Sequence, residues 1–218
     1  MTSPPPARRF ELPIVGRADR AAERNRARLD LNDVFAVNIV APRGAGKAAL
    51  VNRAVGALRL PVLRVALGGE PEGRAGRLGL HLERAALREV DLLLIENDGG
   101  QVCPASFKMG AHLDVRVTTV FDEHHGPSAD LRVYHGLDAL VVTRQDQARE
   151  AGFDRPRFLQ GLARSHPNLL VFFTSGFDGS GVLSWAEWLL RRRDAHRHAT
   201  GRRSSVRAGA PALRAVGA

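Results

Sequence analysis

Cysteine and lysine are both scarce in this sequence of 218 residues, which contains one cysteine, Cys103, and two lysines, Lys47 and Lys108. A single cysteine excludes an intramolecular disulfide bond, and nothing in the cysteine content argues for export. The N-terminal segment Met-Thr-Ser-Pro-Pro-Pro-Ala-Arg-Arg lacks the apolar core of a secretory signal peptide. No apolar run approaches the roughly 20 residues of a membrane-spanning helix. We therefore expect a cytoplasmic protein that does not associate with a membrane.

Acidic residues are too few to balance the arginines, and the excess is concentrated at one end of the chain. The net charge is +9 at pH 7, and residues 191–218 supply +7 of it through eight arginines and one aspartate. An arginine-rich tail can attract phosphates or an anionic membrane nonspecifically, but the nearly neutral remainder makes a nucleic-acid partner unexpected. Because the tail has no apolar periodicity, it is expected to be disordered. We predict a flexible segment over residues 1–16, one domain over 17–190 and a disordered tail over 191–218.

Apolar runs alternate with helix-forming segments along the predicted domain. The runs are rich in leucine and β-branched residues without clean polar–apolar alternation, which is typical of strands buried on both faces. Strands are expected at Val34–Val40, Pro61–Leu67, Asp91–Ile95, Val115–Val120, Leu137–Val142 and Leu169–Phe173. Helices are expected at Arg17–Leu31, Lys47–Leu58, Leu80–Arg88, Gln145–Ala151, Pro156–Ser165 and Gly181–Arg192. This order predicts an α/β fold in which a mostly parallel sheet carries helices on both faces. Ligands bind such sheets beyond the carboxyl ends of the strands.

Residues 41–48, Ala-Pro-Arg-Gly-Ala-Gly-Lys-Ala, follow the first strand and match most of a phosphate-binding P-loop. In a P-loop, backbone N–H groups surround the phosphates and the lysine contacts the β and γ groups. The predicted phosphate-binding residues are Gly44, Ala45, Gly46, Lys47 and Ala48. Because Ala48 replaces the serine or threonine that binds Mg²⁺, we expect a weakened Mg²⁺ site. An ordinary glycine-rich turn between strand and helix is the alternative interpretation.

A second motif begins near the end of a buried strand, where Glu96 precedes two glycines. Nucleotide hydrolases use an acidic residue at such a strand end to sense the γ-phosphate and to orient Mg²⁺ or water. At this point the chain resembles the hydrogenase nickel-incorporation GTPases, the HypB-type accessory proteins. The resemblance rests on Ile95–Asn97, Val102–Phe107, Ala21–Arg26, Asp178–Gly181 and Trp185–Leu189. It implies a P-loop NTPase fold that binds GTP and Mg²⁺ and delivers nickel during [NiFe]-hydrogenase maturation. It also implies a homodimer and hydrogenase maturation proteins as partners.

The resemblance also implies roles for individual residues, with Lys47 and Glu96 as the catalytic pair. The family's base-reading motif, Asn-Lys-x-Asp, falls on Thr143-Arg144-Gln145-Asp146, which keeps only the aspartate. Asp146 could accept hydrogen bonds from guanine N1–H and N2–H, or it could be a helix N-cap. Arg144 could stack on the base in place of the lysine, and Ser175 falls in the family's last base-contacting loop.

Several departures from the family pattern weaken the expected activity. Glu70 is the only acidic residue near the place of the family's metal-binding switch aspartate. With Ala48, two magnesium ligands are therefore missing. The metal supplies much of the electrostatic stabilisation in phosphoryl transfer, so we expect slow GTP hydrolysis. The alternative is a non-hydrolysing pseudo-GTPase that acts as a binding or assembly module.

The transition-metal site that the resemblance implies is also incomplete. The family binds nickel or zinc at its dimer interface through a Cys-His pair and a second cysteine. The pair falls on Leu80-His81, which leaves His81 and Cys103. Two protomers would together supply two cysteines and two histidines, a set that suits Zn²⁺ and can bind Ni²⁺. The alternative is a structural cysteine and a histidine at a helix start. His124, His125, His135, His196 and His198 could bind nickel loosely, although scattered exposed histidines are the simpler interpretation.

Overall fold

A seven-stranded parallel sheet forms the centre of the protein, as seen in a computed structural model that describes residues 16–69, 73–99, 108–201 and the backbone of 214–216. The strands are β1 (Phe35–Ala41), β2 (Val62–Leu67), β3 (Leu92–Asp98), β4 (Leu113–Thr119), β5 (Ala139–Thr143), β6 (Leu170–Phe173) and β7 (Arg214–Val216). Their order across the sheet is β6-β5-β4-β1-β3-β2-β7, and each adjacent pair is parallel. The predicted α/β fold with a mostly parallel sheet is confirmed.

Helices cover both faces of the sheet because every central strand is apolar on both sides. The helices are α1 (Arg17–Leu31), α2 (Lys47–Leu58), α3 (Arg74–Arg84), α4 (Arg155–Ala163) and α5 (Val182–Ala199). Helices α2 and α5 bury one face, on which Leu50 and Trp185 belong to the same apolar cluster. Helices α1 and α3 pack on the other face around Leu29 and Leu78, and α4 contributes Phe158 beside them. Among the described helices, none is long and apolar enough to cross a membrane.

The third helix lies earlier in the chain than the sequence predicts. The prediction placed a helix at Leu80–Arg88, whereas α3 spans Arg74–Arg84 and a single 3₁₀ turn follows at Leu87–Glu89. Two glycines in the first half of α3 lower its intrinsic helix propensity. Burial of Ala75, Leu78 and Leu82 on one side of the helix outweighs that effect. Likewise, the helix predicted at Gln145–Ala151 is reduced to a 3₁₀ turn at Gln145–Gln147.

The last helix continues into the segment that the sequence assigned to the tail. Helix α5 ends at Ala199, so the predicted boundary at residue 190 is too early and residues 191–199 are not disordered. Arg197 is buried on α5, and its Nη2 atom donates to Asp91 Oδ1 at 2.6 Å and lies 3.1 Å from Asp33 Oδ2. These ion pairs use Arg197, an arginine that a composition count assigns to a free basic tail. The predicted flexible segment over residues 1–16 lies almost wholly outside the described residues.

Candidate functional site

The P-loop connects the carboxyl end of β1 to the first turn of α2. Gly44 and Gly46 have positive φ angles of 81° and 75°, and Gly46 is the N-cap of α2. These conformations are easy only for glycine, and they allow the chain to turn tightly from β1 into α2. The N–H of Ala45 closes the turn by donating to the Pro42 carbonyl oxygen at 3.3 Å. The positive end of the α2 dipole lies at this turn. The predicted phosphate-binding residues Gly44 to Ala48 thus lie in a tight turn at the N-terminus of α2, where anions are generally favoured.

Lys47 is the first residue of α2, and its ammonium group lies against the end of β3. Its Nζ atom donates to the carbonyl oxygen of Asn97 at 3.0 Å and to Asp98 Oδ1 at 2.7 Å. The hydrogen bond from Lys47 holds the pKa of Asp98 below its usual value, and Arg43 and Arg74 lower it further. Desolvation acts in the opposite direction. Sequence reasoning missed Asp98, although its position at the end of the strand beside β1 is the signal that could have found it.

Glu96 lies two residues before the end of β3 and is almost fully buried. Its Oε1 atom accepts two hydrogen bonds from Arg64, at 2.9 Å from Nε and 2.7 Å from Nη2. The remaining terminal nitrogen of Arg64 donates to Asn52 Oδ1 on α2 at 2.6 Å. One oxygen of Glu96 is thus engaged in an internal ion pair. The carboxylate that contacts Lys47 is Asp98 rather than Glu96.

The loop after β5 is joined directly to the P-loop. Thr143 Oγ1 donates to the carbonyl oxygen of Ala45 at 2.7 Å, and Arg144 Nη2 donates to that of Gly44 at 2.9 Å. Two residues that break the base-reading motif therefore hold the phosphate loop in place. Asp146 is exposed within the 3₁₀ turn and has no hydrogen-bond partner among the described residues. It does not cap this turn, whose N-cap is Arg144, so the N-cap alternative for Asp146 is wrong.

The loop after β6 packs beside the same end of α2. Ser175 is fully buried, and its Oγ atom accepts hydrogen bonds from the N–H groups of Phe177 and Asp178 at 3.1 and 3.2 Å. Its hydroxyl therefore shapes the loop. Gly176 lies so close to α2 that an added Cβ would be 2.8 Å from Ala49 Cβ. Arg53 on α2 donates to the carbonyl oxygen of Gly176 at 2.7 Å. The fold thus gathers the P-loop and both predicted base-contacting loops at one end of the sheet.

The described residues do not supply the ligands that Mg²⁺ has in a P-loop site. The family resemblance calls for a hydroxyl at residue 48, but this position is an alanine. Glu96 is held by Arg64, and Asp98 is held by Lys47. Glu70, the remaining acidic candidate, lies outside the described residues. Asp122 and Glu123 line a cavity with the loop residue Pro42, but their carboxylates accept hydrogen bonds from Thr119, Thr118 and Tyr134.

The predicted transition-metal ligands are only partly within the described residues. His81 is half-buried in the last turn of α3, so the alternative that placed it at a helix start is wrong. Cys103 lies outside the described residues. Within the described ranges, one cluster of three possible ligands exists, formed by Asp30, His112 and His196, with ligand atoms within 4.8 Å of one another.

This cluster has a hydrogen-bond arrangement that does not suit a metal ion. The backbone N–H of Ala36 donates to His112 Nδ1 at 2.9 Å, so the neutral ring carries its proton on Nε2, which lies 2.9 Å from Asp30 Oδ1. A neutral histidine binds a metal through its unprotonated nitrogen, and that nitrogen already accepts from Ala36. The cluster instead connects the carboxyl ends of α1 and α5 to the start of β4.

Known proteins align with nearly the whole chain. The chain is 29% identical to the hydrogenase maturation factor HypB of Azotobacter vinelandii, in an alignment that covers 95% of this chain and 76% of that protein. This chain is a divergent relative of the HypB proteins. No protein-family model matches the sequence.

Solved HypB structures have the same fold. HypB from Archaeoglobus fulgidus superimposes with a TM-score of 0.70 at 23% identity, covering 81% of this chain and 99% of that one. HypB from Helicobacter pylori, solved in complex with nickel, gives a TM-score of 0.69 at 17% identity, covering 83% of this chain and 97% of that one. At these identities the structural likeness establishes the fold alone. The resemblance to HypB proteins noted from the sequence motifs is confirmed by the relatives that align with nearly the whole chain.

Proposed function

We propose that this protein is a hydrogenase maturation factor of the HypB type, which binds a guanine nucleotide at the P-loop and takes part in nickel delivery. The observation that carries the proposal is the direct contact of the phosphate loop with the loop after β5, through Thr143 and Arg144. These two contacts fix carbonyl groups of the loop and so preorganise its backbone beside the N-terminus of α2. The similarity to a HypB protein over 95% of the chain supplies the class of ligand and client.

The phosphates would bind at the N-terminus of α2. Its free N–H groups, the turn made by Gly44 and Gly46, and the Lys47 ammonium form the donor set that holds phosphates in P-loop proteins. Only Lys47 among these groups carries a full charge. Its replacement is therefore the most direct test of nucleotide binding.

The base would lie against the loops after β5 and β6. The exposed carboxylate of Asp146 can accept hydrogen bonds from guanine N1–H and N2–H, which adenine cannot provide. The guanidinium carbon of Arg144 lies 5.8 Å from the centre of the Phe121 ring, which limits the freedom of its side chain. We propose that Asp146 selects guanine and that Arg144 supports the base and the phosphate loop together.

Hydrolysis is expected to be slow or absent, which keeps the second candidate function open. Ala48 lacks the hydroxyl for Mg²⁺, and the ion pair with Arg64 engages Glu96. Phosphoryl transfer depends on positioned charge around the γ-phosphate, and these two features remove part of it. They favour a pseudo-GTPase that uses nucleotide binding for assembly rather than turnover.

The metal and the dimer are the finer parts of the proposal. We propose that His81 and Cys103 of two protomers form a shared nickel or zinc site in a homodimer, and that bound nucleotide controls metal transfer there. The half-buried position of His81 beside the exposed Leu80 supports a role at an interface. The proposal predicts that His81→Ala and Cys103→Ala each lower Ni²⁺ or Zn²⁺ affinity, measured by competition with a chelating dye. Unchanged affinity in both variants would contradict the shared site.

Calorimetric titration of the purified chain with GTP, GDP and ATP tests the nucleotide part. Lys47→Ala should weaken binding of all three by roughly 10- to 150-fold, the equivalent of one lost charge-assisted contact. Asp146→Ala should weaken binding of GTP and GDP but leave binding of ATP unchanged, because adenine lacks the N1–H and N2–H donors of guanine. Lys108→Ala, which replaces the other lysine, is the matched control. Equal binding by the wild type and Lys47→Ala would contradict the proposed function.

A further inference from the structure

The Lys47 ammonium group, which nucleotide phosphates need in a P-loop, is already paired with a carboxylate of its own chain. Asp98 Oδ1 is 2.7 Å from Lys47 Nζ, and the Lys47 side chain is only 12% exposed. The Asn97 carbonyl oxygen accepts a second hydrogen bond from the same nitrogen at 3.0 Å. The ammonium group keeps a third N–H that a phosphate oxygen could accept, but the Asp98 carboxylate and the phosphate would then be two anions against one cation. Their mutual repulsion favours displacement of the carboxylate.

Asp98 is placed so that it can leave Lys47 without unfolding the strand. It is the last residue of β3, and its side chain is 48% exposed. The next residue, Gly99, continues the pairing, since its N–H donates to the Ala41 carbonyl oxygen at 3.0 Å. The backbone is therefore fixed on both sides of Asp98, and a change of its side-chain rotamer is sufficient to free Lys47.

The surroundings of Asp98 are cationic. Besides Lys47, Arg43 in the P-loop and Arg74 at the start of α3 act on its carboxylate. Arg74 lies close to the chain at this point, with Nη1 at 3.7 Å from the position of a Cβ added to Gly99. Three cations around one acid repel a divalent metal, but they attract the phosphates of a nucleotide. Arginine is also well suited to contact phosphate oxygens through two donors at once.

We propose that the P-loop of this protein binds nucleotide phosphates without Mg²⁺, and that Asp98 is the internal anion that the phosphates displace from Lys47. The arginines beside the loop supply the positive charge that the metal provides in other P-loop proteins. This inference rests on the proposed function, because it concerns the same phosphate site. It also explains why the site tolerates Ala48: the missing hydroxyl has no metal to hold.

The test is a calorimetric titration of the full chain with GTP and GDP, in buffer containing Mg²⁺ and in buffer containing EDTA. The wild type should bind each nucleotide equally in the two buffers, within about twofold. Asp98→Asn should bind about 2- to 10-fold more tightly in both buffers, because Lys47 no longer loses a charged partner on binding. Asp98→Ala should behave in the same way. Melting temperatures of both variants show whether either change has disturbed the fold.

Asp122→Asn is the matched control for the loss of one negative charge. Asp122 accepts from Thr119 near the P-loop residue Pro42 and does not contact Lys47. A general effect of charge would tighten binding equally in Asp122→Asn and Asp98→Asn, and equal changes would overturn the proposal. The proposal would also be overturned if the wild type bound nucleotide more tightly in Mg²⁺ than in EDTA and Asp98→Asn removed this difference. Asp98 would then be a metal ligand. Absence of any Lys47-dependent binding in either buffer would instead refute the proposed function itself.

Discussion

Replacement of Arg197 provides a strong test of how α5 is attached to the rest of the domain. Arg197 is 7% exposed, and its guanidinium group lies between Asp33 and Asp91 at the end of the sheet opposite the P-loop. In Arg197→Met the Asp91 carboxylate, itself almost buried, would remain without its cation. Loss of one partner from a buried ion pair destabilises a protein by roughly 3–5 kcal/mol. Because Arg197 Nε has no hydrogen-bond partner, the pair is incompletely satisfied and we expect the lower end, about 3 kcal/mol.

Urea denaturation followed by circular dichroism measures this loss. For a domain of this size it corresponds to a fall in Tm of roughly 6–12 °C. Arg191→Met is the control, because Arg191 is on the same helix with its side chain 67% exposed and 3.8 Å from Glu187. Arg191→Met should lower the free energy of unfolding by no more than about 0.5 kcal/mol. Adding Asp91→Asn to Arg197→Met should restore part of the stability. If Arg197→Met is no more destabilising than Arg191→Met, residues 191–199 are not part of the domain and the argument fails.

Two further predictions concern buried polar groups. Burial lowers the pKa of His112 to about 4, although its hydrogen bond with Asp30 acts in the opposite direction. Between about pH 6.5 and pH 4 this histidine is therefore protonated in the unfolded chain but neutral in the folded chain. The free energy of unfolding falls as the pH is lowered through this range, by up to about 3 kcal/mol. Burial raises the pKa of Asp114 to about 6, and this has the opposite effect on stability over the same pH range. The contribution of His112 is therefore measured as the difference in unfolding free energy between the wild type and His112→Asn, determined by urea unfolding at each pH. This difference in unfolding free energy should shrink toward pH 4. A difference that does not change with pH would refute the lowered pKa of His112. Thr143→Val leaves the Ala45 carbonyl oxygen without its side-chain donor and should reduce stability by about 1–3 kcal/mol and weaken nucleotide binding, whereas Thr143→Ser should preserve both.

The sequence was a good guide to the fold because the signals for a buried parallel strand are local. Runs such as Val34–Val40 and Leu137–Val142 are apolar on both faces, and five of the predicted helices overlap observed α-helices. The failures occurred where tertiary contacts outweighed local propensity. Helix α3 begins among glycines because one side of it is buried, and α5 continues past residue 190 because Arg197 meets two acids from distant parts of the chain.

The candidate site shows the same division. The P-loop was recognisable because its glycines and lysine are contiguous and their spacing has a direct physical meaning. Local spacing could not show whether Glu96 or Asp98 contacts Lys47, since both lie in the same short acidic stretch. Only the packing of β2 beside β3 brings Arg64, which is 32 residues away, onto Glu96. The contact between Lys47 and Asp98 likewise depends on β3 lying next to β1.

The sequence by itself therefore determined the class of fold, the position of the P-loop and the likeness to HypB proteins, because each depends on the order and spacing of neighbouring residues. The tertiary structure decided which acid contacts Lys47, which side chains hold the P-loop, and how far α5 belongs to the domain. Charges and hydrogen-bonding groups acquire partners only when distant strands become adjacent. Those partners determine whether a carboxylate can bind a metal, compete with a phosphate or anchor a helix.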